Sequence, residues 1–229
     1  MVLDVATSSS STSIRWGGLA AVLGGVLWAL WYVGVYTTGL VVPRYEGYEG
    51  YNRLMPFVLV LLLAGLTGAY AQLRRNHTLA SSAGLDPVQR RLYGWIGLVG
   101  FVLAALGLLV MIAGNVAEFW AFTDEAYGRG TLRDYSWMAF GLGMSILYGG
   151  TILFAIAALT ASMLSRLAAL PLLIWFPVGF VLSGLLQLLG VPEGLAYSGL
   201  NGLCGLGWVL LGYALLSNKK TVERGAAAV

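Results

Sequence analysis

Six long apolar stretches constrain this chain more than anything else in it, running from about Trp16 to Val41, Leu54 to Leu73, Leu92 to Phe119, Trp137 to Met163, Leu167 to Leu189 and Leu195 to Ser217. A hydrocarbon layer is roughly 30 Å thick, and a helix rising about 1.5 Å per residue crosses it in about 20 residues. Lipid offers no water to backbone N–H and C=O groups, so each crossing must satisfy them within itself or within a closed barrel. Barrel strands are short and alternate in polarity, whereas these runs are apolar on nearly every face. The expected fold is all-α: a polytopic bundle of six transmembrane helices over residues 15–217, with a disordered tail at 1–14 and a flexible tail at 218–229.

Composition agrees, because 59% of the 229 residues are hydrophobic and 10% are charged, against about a quarter charged in soluble domains. The first run is too long for the core of a signal peptide and is followed by no small-residue cleavage site, so it is expected to remain as a helix. The basic residues orient the bundle. Arg15, Arg74, Arg75, Arg90, Arg91, Arg166, Lys219, Lys220 and Arg224 fall on one side, against Arg44, Arg53, Arg129 and Arg133 on the other. Nine against four satisfies the positive-inside rule with both termini cytoplasmic. The net charge of +3 is then a set of topological anchors, and no basic stripe with interleaved aromatics points to nucleic acid.

Within the third run, Gly97, Gly100, Ala104, Gly107, Met111, Asn115 and Glu118 recur every three or four residues and share one helical face. A small-residue groove thus ends in an amide and a carboxylate. In helix one, Gly17, Ala21 and Gly25 form the small-xxx-small pattern that lets helix backbones approach closely in lipid. Internal packing is the expected use of these faces, with homo-oligomerisation or a membrane protein partner as the alternative.

The polar residues at the outer ends supply the candidate site. Asn115 and Glu118 on helix three, Gln187 on helix five, Asn201 on helix six and Tyr36 on helix one lie at comparable depth. Converging, they would line an outward-facing polar pocket for a small molecule or a lipid, with Arg133 or Arg53 as ion-pair partners for Glu118. Three roles are open to Glu118: contact with headgroups and water at the interface, a hydrogen bond between helices, or a ligand or proton site. An intramembrane carboxylate is a functional hypothesis by default.

Other segments carry less chemistry. Tyr45 to Tyr51 reads as an aromatic belt at headgroup level. Residues 74–91 form an inner loop, in which Asp86 suits an N-cap and Pro87 the first helical position. The charged stretch from Thr123 to Ser136, between Trp120 and Trp137, suits a short cap on the bundle. Pro177 should bend helix five. Cys204 stands alone, so the chain holds no internal disulfide and no cysteine metal cluster. His77 is the single histidine and no lysine lies within a helix, which removes bis-histidine haem ligation, an HExxH zinc site and a retinal Schiff base. No phosphate-binding loop or nucleophile elbow occurs. No cofactor is expected, and an enzyme would have to rely on Glu118 or the loop acids alone, as in a lipid-modifying membrane enzyme.

The run from Trp16 to Trp28, with Gly207 to Leu215 near the end, resembles a group of uncharacterised Gly-rich multi-pass bacterial inner-membrane proteins. The resemblance implies an inner-membrane protein and brings no activity or site residues with it.

Overall fold

The computed structural model describes residues 3–38, 46–80, 87–121, 132–160, 166–191 and 193–217. Among them are seven helical segments: α1 (Leu3–Thr38), α2 (Glu46–Ala80), α3 (Pro87–Val116), a π turn (Ala117–Ala121), α4 (Leu132–Thr160), α5 (Arg166–Leu188) and α6 (Glu193–Ser217). Four of these helices contain stretches long and apolar enough to cross a membrane, at Thr12–Tyr32, Asn52–Asn76, Arg91–Ala121 and Asp134–Thr160. The described residues form an all-helical membrane protein.

The helices are longer than the apolar runs. α1 begins at Leu3, so the backbone of the Ser/Thr tract, expected as a disordered tail, is helical. α2 begins at Glu46 and ends at Ala80, taking in most of the expected aromatic loop and the start of the inner loop. Ser and Thr cost well under 1 kcal/mol each in a helix, and propagation is cheap once an apolar span has nucleated it. Pro87 does open α3. The segments 39–45, 81–86 and 122–131, with Asp86 and most of the expected cap, lie outside the described residues, as does the side chain of Pro177. α5 runs unbroken to Leu188 and ends in a Schellman motif. There the Gly190 N–H donates to Gln187 O at 3.0 Å and the Val191 N–H to Leu186 O at 2.9 Å, with Gly190 at φ +82°.

Each helix packs on its neighbour in sequence, and α6 returns to α1, so the six close into a ring in chain order. The α3–α4 seam is the most extensive and α4–α5 the slightest, while α2 and α6 also touch across the interior. Fully buried Trp28, Met55, Leu59, Leu62, Leu108, Met111 and Leu211 fill the centre.

Glycine sets the seams. On α1, Gly17 and Ala21 face Gly68 and Gly65 of α2, while Gly18 and Gly25 face Gly212 and Gly205 of α6. The Gly17, Ala21, Gly25 series therefore divides between two neighbours. On α3, Gly100, Ala104, Gly107 and Met111 lie directly on α4, against Gly150 and Gly143. The groove read from the sequence is filled by α4. At these positions a Cβ would strike main chain, and the backbone proximity that small residues allow is what holds helices together in lipid, where burial of apolar area offers little drive.

The outer surface is apolar along its length, with Leu23, Leu30, Phe57, Val102 and Leu109 all exposed. Exposed aromatics collect at its two ends. Trp16, Trp95 and Tyr213 stand at one, and Trp120, Tyr135 and Trp137 at the other. The 25 residues of helix between Trp95 and Trp120 span roughly 37 Å at about 1.5 Å per residue. That separation suits aromatic rings seated in the two interfaces of a bilayer.

Candidate functional site

The π turn forms at the Trp120 end, where α3 meets both α2 and α4. Turns of this kind, closed by i→i+5 bonds, are rare and recur at functional sites. Here it carries Glu118 and Phe119 inward, 7% and 3% exposed, and leaves Trp120 outside. Glu118 is thus buried and has a partner within the protein.

α2 holds this turn from the side. The Nε–H of Arg53 donates to the carbonyl of Phe119 at 3.2 Å. A guanidinium on the terminal carbonyls of a helix complements the negative end of its dipole. Arg53 thus reaches the Glu118 turn through the main chain. Its neighbour Asn52 is 4% exposed, and Pro56, which lies inside α2, has no N–H to give to the Asn52 carbonyl. From α4, Ser136 is buried with its hydroxyl donating to Leu132 O at 2.7 Å, and Ser136 O stands 2.7 Å from where a Cβ on Gly114 would be.

Asn115 lies amid these groups, 1% exposed, with an Oδ1 that has no hydrogen-bond partner. An orphaned buried acceptor costs about 1–3 kcal/mol, which a ligand carrying a donor would recover. The corner thus gathers Asn52, Arg53, Asn115, Glu118 and Ser136 from three helices, and Asn115 Oδ1 is the buried acceptor left unpartnered there.

Removing the Arg53 clamp is expected to loosen the turn. Arg53→Gln should cost about 1.5 kcal/mol, the lower end for a hydrogen bond from a charged donor because the side chain is exposed. Amide hydrogen exchange at Phe119 to Ala121 should quicken while that of α5 is unchanged; equal exchange in both proteins would deny the clamp.

The remaining expected site residues do not all gather here. Gln187 sits half-buried in the last turn of α5, which packs on α4 and α6, and its carbonyl serves the Schellman motif. The side chains of Tyr36, Asn201 and Arg133 lie outside the described residues. Sequence reasoning passed over Asn52 because it placed the start of helix two at Leu54. It also passed over Ser183, 2% exposed with an unpartnered Oγ on α5.

A second polar group sits nearer mid-helix. Tyr148 of α4 and Cys204 of α6 line one void, and the Thr151 hydroxyl donates to the Tyr148 carbonyl at 3.0 Å. Trp175, Trp208, Pro171 and Leu172 also line the void, whose volume is about 10 Å³. One water fills such a space. The π-turn corner is accordingly the stronger candidate for ligand recognition. Compared with protein-family models, curated proteins and solved structures, the chain matches none.

Proposed function

We propose that this is a non-enzymatic membrane protein that binds, and in binding carries or presents, a small molecule or lipid at the Asn115–Glu118 corner. All six helices cross the bilayer in this reading. Both termini are cytoplasmic, as the basic residues favour, so the corner opens at the outer face of a bacterial inner membrane. The observation that carries the reading is the unpartnered Oδ1 of Asn115, buried three residues from a buried carboxylate on a π turn. Asn115 and Glu118 are the residues proposed to touch the ligand, and Arg53 holds the turn that presents them.

The alternative, an accessory subunit of a larger assembly, drew on Gly-rich helix faces. Those on α1, α3 and part of α4 are spent on neighbouring helices of the same chain, which removes the main reason to seek a partner for them.

Native mass spectrometry of the protein released from its own membrane, as wild type and Glu118→Gln, tests the reading. A co-purifying small molecule or lipid should accompany the wild type and fall at least tenfold in the variant. A retained protein partner indifferent to Glu118 would instead establish the assembly subunit.

A further inference from the structure

We propose that the corner recognises a phospholipid whose headgroup joins a primary ammonium to a phosphate, with the ammonium on Asn115 Oδ1 and the Glu118 carboxylate and the phosphate on Arg53. The inference rests on the proposed function and names the ligand class of the same site.

Depth comes first. Trp120, Tyr135 and Trp137 ring this end of the bundle, each more than half exposed, and such rings settle at headgroup level. The corner therefore meets lipid headgroups rather than acyl chains or bulk water. Leu54 and Phe57, 57% and 62% exposed and next to Arg53 on α2, continue toward the bilayer centre as an apolar face for the chains.

Charge comes next. Among the described residues, the corner brings together the Glu118 carboxylate and the Arg53 guanidinium on adjacent helices. A lone metal cation would satisfy the first and be opposed by the second; an anionic headgroup without a donor would do the reverse. A zwitterion satisfies both. The bond to Phe119 uses one of the five N–H groups of the Arg53 guanidinium, and the side chain is exposed, so the fork is placed to bind a phosphate as Arg does elsewhere. Glu118 already has a partner, but an ionised carboxylate has about four lone-pair sites and accepts a further donor beside it.

Donor count and size decide between ammonium groups. Asn115 Oδ1 lacks a donor, and among ammonium headgroups only one that keeps N–H groups supplies it. Asn115 and Glu118, 1% and 7% exposed, leave least room for a trimethylated group. Phosphatidylethanolamine has the required chemistry, phosphatidylcholine lacks the donors, and phosphatidylglycerol lacks the cation.

The test uses the wild-type full chain, delipidated in a non-ionic detergent, with four lipids of identical acyl chains whose headgroup nitrogen bears none, one, two or three methyl groups. Occupancy by native mass spectrometry should fall with each methyl and drop at least tenfold from the primary ammonium to the quaternary one. Phosphatidylglycerol should bind no better than the quaternary lipid, and free phosphoethanolamine, without chains, at least tenfold more weakly than phosphatidylethanolamine. Asn115→Leu should flatten the methyl series. Arg53→Gln should weaken all four zwitterionic lipids alike. A flat series in the wild type overturns the ammonium assignment, strong phosphatidylglycerol binding overturns the zwitterion, and equal binding of free phosphoethanolamine overturns a lipid source. If the series is flat while another molecule from the native membrane still depends on Glu118, this inference fails and the proposed function stands. If nothing depends on Glu118, both fail.

Discussion

Replacing Gly150 with leucine should separate α3 from α4 and lose the folded protein, whereas Gly149→Leu, one residue earlier, should leave it intact. The two glycines differ only in where they face. A Cβ on Gly150 would strike the main-chain nitrogen of Ala104 and stand 2.8 Å from the Gly100 carbonyl, while one on Gly149 would meet nothing within 4 Å. No rotamer relieves the first contact, because backbone is met on both sides of the seam, so the helices must move apart. Overpacking commonly costs 1–3 kcal/mol, and displacement of a whole helix pair lies at or beyond the upper end, at about 3 kcal/mol or more. In lipid that loss is not recouped by burying the new side chain, since hydrocarbon is as apolar as leucine. Thermal unfolding followed by size-exclusion chromatography in detergent distinguishes the pair. Similar stability in both variants would deny that this seam depends on backbone proximity.

That seam was legible because helical period and residue size act locally: Gly100, Ala104 and Gly107 fall on one face whatever surrounds them. The same period carried Asn115 and Glu118 to the end of that face. What followed from depth alone fared differently. Gln187 is expected at the depth of Glu118, yet closure of the ring in chain order sets α5 against α4 and α6, and helix order is a property of the whole bundle. The π turn was not legible either, since no residue type demands one; it belongs to the place where Arg53 of α2 reaches the Phe119 carbonyl.

Boundaries were the weakest part of the reading for a related reason. Apolar runs report where lipid begins, and a helix need not stop there. α2 starts eight residues before Leu54, which brings Asn52 and Arg53 into helical register beneath Phe119. The end of α5 was the exception. Gly190 is free to adopt positive φ and Pro192 blocks continuation, so the stop is written in the local sequence.

The ring also predicts a sharp contrast between two tryptophans. Trp28 is fully buried at the centre, its ring centroid 5.5 Å from that of Tyr32, with the buried Trp208 on the neighbouring α6. Trp95 is 66% exposed at one end of the bundle. In a soluble protein Trp→Ala in the core costs about 3–5 kcal/mol, the sum of a transfer and a cavity contribution. Helices separated within lipid keep their apolar side chains in an apolar medium, so most of the transfer part vanishes. The cavity part remains. At about 24 cal/mol per Å³, a void of roughly 100 Å³ costs on the order of 2.5 kcal/mol. Trp28→Ala should therefore destabilise the bundle by about that much, while Trp95→Ala, which opens no void, should stay within about 0.5 kcal/mol. A dry apolar cavity of this size accepts xenon or benzene. Saturating xenon should restore part of the stability of Trp28→Ala and leave Trp95→Ala unchanged, and its failure to do so would mean that the ring collapses into the space.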